Sequence, residues 1–93
     1  FGAGEALRIG LVQEVVVAGE HITRARSLAS LIAKQAPLAV QASLLSSRIA
    51  VRDGDDAAIA HLRGVLPAIM ASADAAEGLQ SFVERREAVF SGR

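Results

Sequence analysis

Phe82, Arg85 and Arg86, near the end of the sequence, have types and a spacing that could bind a ligand. If this segment is helical, residues three positions apart lie one turn apart, so the Phe82 ring and the Arg85 guanidinium can lie side by side. A guanidinium is a planar donor that can contact a phosphate or a carboxylate at two points. The pattern by itself favours a plainer interpretation, in which Phe82 belongs to the core and Arg85 is solvated.

The other polar residues give no arrangement typical of a catalytic site. His21 and His61 have no evident carboxylate or serine partner, so we interpret both as surface or helix-edge residues. Three serines fall inside a predicted helix and lack the strand–turn–helix elbow that activates a nucleophile. They are Ser43, Ser46 and Ser47. The sequence has no Cys, which excludes disulfides and zinc–thiolate sites.

An acidic cluster, Asp53, Asp55 and Asp56, surrounds Gly54. It could suggest calcium, but the loop is too short for an EF-hand and lacks the bidentate Glu. We interpret it as a turn between two helices, with an Asp at the N-cap of the second. No metal site is expected.

The composition predicts a small helical domain. The 93 residues are 52% hydrophobic, yet only three are aromatic and none is Trp or Tyr. Because soluble domains are usually about 45–50% apolar, we expect another domain or another chain to cover part of this surface. The chain begins at Phe1 without a Met, and we interpret residues 1–93 as one domain of a longer protein.

Charge and hydropathy narrow the possible partners. The formal net charge is zero, so binding to nucleic acid through bulk charge is not expected. No apolar run approaches the roughly 18 residues of a membrane span, and no signal peptide is evident. These features predict a cytoplasmic protein with neither a membrane nor a nucleic-acid partner.

Apolar spacing predicts four main helices. A short helix over residues 3–9 ends at Gly10, and residues 11–17 form a strand or an extended segment. The first main helix covers residues 20–35 and ends because the residue before a proline avoids helical angles. Pro37 opens the second, which is apolar on two sides and is therefore expected to be central. The third extends from the acidic turn to about residue 70.

The fourth main helix must position Phe82 and Arg85. Asp74 and Glu77 have the spacing of a capping box, in which each side chain accepts from a free N–H at the helix start. Apolar residues then recur every three or four positions as one stripe, and Gly92 ends the helix. The stripe consists of Ala75, Leu79, Phe82, Val83 and Phe90.

Three runs in this order resemble motifs of the enoyl-CoA hydratase/isomerase (crotonase) family. The run Ser-x-Asp-x-x-Glu-Gly-x-x-x-Phe-x-x-Arg-Arg over 72–86, closing on Phe-Ser-Gly, is similar to the family's C-terminal signature. Residues 5–16, Glu-Ala-Leu-Arg-Ile-Gly-Leu-Val-Gln-Glu-Val-Val, resemble its "EAL-x-x-GLV" segment. Residues 25–40, Ala-x-x-Leu-Ala-x-x-Ile-Ala-x-x-Ala-Pro-Leu-Ala-Val, resemble a helix pair that the family shares.

The resemblance implies a mainly α fold, the C-terminal helical (oligomerisation) portion of a crotonase-like enzyme whose catalytic core lies upstream. It implies an acyl-CoA thioester as substrate, with coenzyme A bound as part of that substrate and no separate cofactor. It further implies that Phe82 and Arg85 contact the adenine and the 3′-phosphate of coenzyme A in a neighbouring subunit of a trimer or hexamer.

The activity most consistent with the resemblance is syn addition of water to a 2-enoyl-CoA, as in β-oxidation of fatty acids. The family's oxyanion donors and its catalytic glutamates lie upstream, so we expect the 93-residue segment alone to be inactive and assign it no catalytic residue. Isomerisation or hydrolysis of another acyl-CoA stays open. A non-catalytic helical interaction module is the rival hypothesis.

Overall fold

The computed structural model describes all 93 residues and contains five helices and no strand. The helices are α1 (Ala3–Arg8), α2 (His21–Ala33), α3 (Pro37–Asp53), α4 (Asp55–Met70) and α5 (Ala73–Glu84). The predicted mainly α fold, with four main helices after a short first one, is therefore confirmed. Residues 11–17 form neither a helix nor a paired strand, so they correspond to the extended alternative of the prediction.

The chain divides into two compact units, Phe1–Leu31 and Ile32–Arg93. In the first unit, α1 ends at Arg8 with Ile9 as its C-cap, and the next residue, Gly10, has a left-handed φ of 76° as the sequence predicted. The N–H groups of Leu11 and Val12 donate to the carbonyl of Ala6. Arg24 then binds both carboxylate oxygens of Glu14 at 2.8 and 2.9 Å. This exposed ion pair connects the extended segment with α2, although such pairs add little stability.

In the second unit, α3 and α4 pack against each other and are joined by one residue, Gly54. Its φ of 93° and ψ of 170° make it both the last cap of α3 and the first cap of α4. The predicted Asp N-cap is therefore wrong: Asp55 and Asp56 lie in the first turn of α4, where the helix dipole favours their charge. The buried Ser46 hydroxyl donates to the carbonyl of Ala58 at 3.3 Å, which joins the two helices closely.

Much of the apolar surface is uncovered. No large side chain is fully buried, and Val51 of α3 is 92% exposed. We expected α3 to be central because two of its sides are apolar, whereas here it packs on α4 and leaves Leu44 and Leu45 about half exposed. No single helix is long and apolar enough to cross a membrane, and only α2 and α3 counted together, as a bent pair, reach that length and composition.

The last helix differs from the prediction at both ends. Its N-cap is Ser72, whose hydroxyl accepts from the Ala75 N–H at 3.1 Å, so the predicted capping box of Asp74 and Glu77 is wrong. The helix ends at Glu84 instead of continuing to Gly92, and Arg85 adopts a left-handed conformation. Residues 86–93, called here the return segment, then fold back along the helix.

Candidate functional site

Asp74 anchors the far end of the return segment. One of its carboxylate oxygens accepts from the N–H of Ser91 at 2.7 Å, and the other accepts from the N–H of Gly92 at 2.8 Å. The Asp74 N–H donates in turn to the carbonyl of Arg93 at 2.9 Å. The residue is only 3% exposed, and these backbone donors hold the pKa of its carboxyl below the usual range. An acid that the sequence assigned to a helix cap therefore binds a distant segment.

Glu77 anchors the near end. Its two carboxylate oxygens accept from the Nη1 and Nη2 atoms of Arg86 at 2.6 and 2.9 Å, and Oε1 also accepts from the Val89 N–H at 2.8 Å. The Arg86 guanidinium, and then the Val89 N–H, lower the pKa of Glu77 to about 2. A two-point contact between a guanidinium and a carboxylate has a defined geometry, so it fixes orientation as well as distance.

The turn at the end of α5 is a Schellman motif. The Arg86 N–H donates to the carbonyl of Ser81 at 3.1 Å, and the Arg85 N–H donates to the carbonyl of Phe82 at 3.3 Å. Arg85 occupies the left-handed position with φ 54° and ψ 43°, where glycine is usual. It is the only non-glycine residue of the chain with a positive φ.

The return segment places Phe90 against α5. The Phe90 ring lies over Gly78: a Cβ atom added to Gly78 would be 3.7 Å from Cε1 of the ring, an ordinary van der Waals contact. The sequence predicted that Phe90 continues the apolar stripe of α5, and this prediction is wrong because Phe90 lies in the return segment beyond the helix. The ring also lines an open apolar groove of about 520 Å³ along α3, together with Val40 and Leu44.

Both residues of the predicted coenzyme site, Phe82 and Arg85, lie on the surface at the end of α5. Phe82 is 81% exposed, so the plainer interpretation that it belongs to the core does not describe this chain. The Arg85 guanidinium is exposed and makes no hydrogen bond or ion pair, whereas the Arg86 guanidinium is engaged by Glu77, by Glu84 and by the carbonyl of Glu87. An exposed ring and a free guanidinium three residues apart are groups that can contact an aromatic base and a phosphate.

The apolar residues beside Phe82 also face outward. Leu79 and Val83 are each 69% exposed, while the buried positions of α5 are polar, at Asp74 and Ser81. Asp74 is buried because it faces the return segment, whose backbone N–H groups donate to Asp74 and Glu77. Sequence reasoning missed this contact, since residues 9 to 18 positions apart have no periodic signal.

No catalytic arrangement is evident among the other polar side chains. The Ser46 and Ser47 hydroxyls donate to the carbonyls of Ala58 and Ser43, which are structural contacts. His61 has a buried Nε2 without a hydrogen-bond partner. No group of three or more His, Asp or Glu side chains is arranged to hold a metal ion.

Comparison with known proteins identifies the class. The family model described as enoyl-CoA hydratase/isomerase matches residues 1–93, so this chain belongs to the enoyl-CoA hydratase/isomerase family. Its five-helix arrangement is the C-terminal helical part of the crotonase fold.

Individual relatives agree with this class. Carnitinyl-CoA dehydratase from Escherichia coli (strain K12) is 40% identical over 97 residues, which cover all of this chain and 37% of that protein. A probable enoyl-CoA hydratase/isomerase from Mycobacterium abscessus superposes with a TM-score of 0.94 at 49% identity, over all of this chain and 36% of that structure. An enoyl-CoA hydratase from Mycobacterium tuberculosis H37Rv gives 0.90 at 30% identity, over 37% of its length. The chain thus spans little more than a third of the proteins it matches.

Proposed function

We propose that this chain is the helical C-terminal part of a cytoplasmic acyl-CoA-processing enzyme that adds water to a 2-enoyl-CoA with syn geometry. Support comes from membership of the family and from relatives named for hydratase and dehydratase reactions on CoA thioesters. In such a reaction, preorganised hydrogen-bond donors stabilise the thioester enolate, and carboxyl groups move the protons. These groups lie outside the present residues, so the 93-residue chain alone is inactive.

The chain itself contributes to binding of the coenzyme A portion of the substrate. Phe82 stacks on the adenine, and Arg85 contacts the 3′-phosphate of a molecule bound in a neighbouring subunit. The observation that carries this assignment is the contrast between Arg85, which is exposed and unpaired, and Arg86, which is fully engaged. A phosphate is best bound by a guanidinium that is not already occupied by carboxylates.

Assembly is the second proposed contribution. The other exposed apolar side chains of α5, Leu79 and Val83, form a surface that a second copy of the chain covers in a trimer or hexamer. If the upstream segment carried no oxyanion donors and no acidic pair, assembly would be the only function, and the chain would be an interaction module.

The 40% identity to carnitinyl-CoA dehydratase favours a second candidate reaction, removal of water from carnitinyl-CoA. Both candidates make or break the same bonds between an acyl chain and water. They differ in the acyl group, which the upstream segment must recognise. The family name also covers isomerases, for which the double bond moves without any change in water content.

The test uses the full-length protein with a trans-2-enoyl-CoA and, separately, with carnitinyl-CoA. We expect the enoyl substrate to be hydrated, and NMR of the product formed in deuterated water should show both elements of water on one face. The purified 93-residue chain serves as the control and should give no turnover. Preferential turnover of carnitinyl-CoA would replace the first candidate with the second. Failure with both substrates would contradict a hydratase or dehydratase.

A further inference from the structure

We propose that Glu77 is a positioning residue for Arg85: by holding Arg86, it fixes the turn from which the Arg85 side chain projects. This inference rests on the function proposed above, because it concerns the same contact with the 3′-phosphate of coenzyme A. Glu77 itself contacts no ligand. It acts on Arg85 indirectly, by binding the adjacent residue Arg86.

Several hydrogen bonds converge on Glu77. Its carboxylate receives three donors, two from the Arg86 guanidinium and one from the Val89 backbone. The Glu77 side chain is 23% exposed and that of Arg86 is 39% exposed, so solvent competes with the pair only in part. A second carboxylate, Glu84, contacts the Nε atom of Arg86. The Arg86 guanidinium therefore has carboxylate partners at Nε and at both Nη atoms, which restricts rotation of the Arg86 side chain.

The backbone between the two arginines is also constrained. Arg85 is held with φ 54° and ψ 43°, a conformation that residues with a side chain rarely adopt. Such a conformation persists only when the surroundings impose it. Arg86 follows directly, so its ion pair with Glu77 constrains the peptide that sets the direction of the Arg85 side chain. Without the pair, the end of α5 is free to fray and Arg85 would sample several directions.

The role of Glu77 is distinct from a general contribution to stability. The return segment is held a second time at its far end, where Asp74 accepts from Ser91 and Gly92. Loss of the Glu77 contact therefore leaves the segment attached and loosens mainly the turn at residues 85–86. The consequence is local, and it falls on the residue proposed to bind phosphate.

The experiment compares coenzyme A with 3′-dephospho-coenzyme A on the full-length protein, by calorimetric titration. The measured quantity is the dissociation constant of 3′-dephospho-coenzyme A divided by that of coenzyme A. This ratio reports the phosphate contact alone, and it falls when that contact weakens. Ordering one mobile side chain costs an amount that corresponds to about a two- to tenfold change in affinity. We therefore expect Glu77→Gln to reduce the ratio by about two- to tenfold and to leave the affinity for the dephospho compound unchanged. Glu87→Gln is the matched control, since that exposed carboxylate makes no hydrogen bond or ion pair.

Two further variants make the result decisive. In an Arg85→Ala background, Glu77→Gln should have no additional effect on the ratio, because it acts only through Arg85. Arg86→Lys keeps the positive charge but removes the two-point contact, and it should reduce the ratio in the same direction as Glu77→Gln. If Glu77→Gln does not fold, as judged by circular dichroism, Arg86→Lys decides the question.

The outcomes distinguish this inference from the function on which it rests. A ratio that falls with Arg85→Ala but stays at the wild-type value with Glu77→Gln and Arg86→Lys overturns the positioning role and leaves the phosphate contact intact. If Arg85→Ala does not change the ratio, Arg85 does not contact the 3′-phosphate, and the proposed function fails at this point. Equal loss of affinity for both ligands in Glu77→Gln would show a purely structural role and would also overturn the inference.

Discussion

Arg85 and Arg86 are adjacent in the sequence but have opposite environments. The Arg86 guanidinium binds the carboxylates of Glu77 and Glu84 and the carbonyl of Glu87, whereas the Arg85 guanidinium is exposed and has no partner. Arg85 itself has a left-handed backbone. Arg86 therefore fixes the turn after α5, whereas Arg85 is available to a ligand.

The first prediction concerns pH. The pKa of Glu77 is lowered from 4.5 to about 2, and that of Asp74 is also lowered, because both carboxylates accept hydrogen bonds from the return segment. A carboxyl whose pKa is lower in the folded state stabilises the fold above its unfolded pKa, and this stabilisation is lost as pH falls towards the folded value. The 93-residue chain should therefore lose stability between about pH 4.5 and 2.

Urea unfolding followed by circular dichroism at several pH values measures this effect. Glu77→Gln cannot titrate, so its free energy of unfolding should fall less steeply over the same pH range. Glu87→Gln is the control and should follow the wild-type curve. Identical pH dependence in the wild type and in Glu77→Gln would show that the ion pair with Arg86 does not form in solution.

The second prediction concerns the backbone at Arg85. A residue with a side chain is strained by about 1–2 kcal/mol in the left-handed region. Glycine avoids this strain, but its greater conformational freedom in the unfolded chain offsets part of the gain. The free energy of unfolding of Arg85→Gly should therefore exceed that of Arg85→Ala by about 0.5–1 kcal/mol. Both variants lack the guanidinium, so the comparison isolates the backbone. If Arg85→Ala is the more stable of the two in urea unfolding, the turn is not left-handed.

The third prediction compares two glycines. Gly78 lies inside α5, and an added Cβ would be in ordinary contact with Phe90 at 3.7 Å. Since glycine is about 0.8–1 kcal/mol worse than alanine inside a helix, Gly78→Ala should stabilise the chain by about that amount. Gly54 has φ 93° and open space around it, so Gly54→Ala should cost about 1–3 kcal/mol through backbone strain alone. Thermal unfolding that shows the same sign for both substitutions would contradict this description.

The fourth prediction concerns association. Val83 is 69% exposed on the apolar face of α5, so the 93-residue chain should self-associate instead of behaving as a compact monomer. Introducing a charge through Val83→Asp should weaken association by about tenfold or more. Gln41→Asp, at an exposed glutamine of α3, is the control. Light scattering that shows a compact monomer at high concentration would refute this prediction.

The sequence predicts the helices well because their signals are local. The helix boundary before Pro37 and the left-handed Gly10 follow from the conformational limits of those residue types. The end of α5 could not be predicted in this way. Arg85 carries no local stop signal, and the helix ends there because Arg86 and the return segment bind Glu77 and Asp74.

The candidate site was only partly predictable for the same reason. Family resemblance pointed to Phe82 and Arg85, but nothing in the Arg85–Arg86 doublet tells which guanidinium is free. That distinction depends on Glu77, which lies nine positions before Arg86 and had been assigned to a capping box. Contacts at such separations become visible only when the backbone path is known.

The measurement that tests the account most directly is binding of coenzyme A and 3′-dephospho-coenzyme A to full-length protein carrying Arg85→Ala. A charge-assisted contact with a partly exposed phosphate corresponds to about a ten- to hundredfold change in affinity, which should decrease as salt is added. We therefore expect the substitution to weaken coenzyme A by that factor, to leave the dephospho compound nearly unaffected, and to leave the chemical step unchanged. Arg63→Ala, at an exposed arginine of α4 without an ion pair, should change neither affinity. Equal weakening of both ligands by Arg85→Ala would contradict the assignment of Arg85 to the 3′-phosphate.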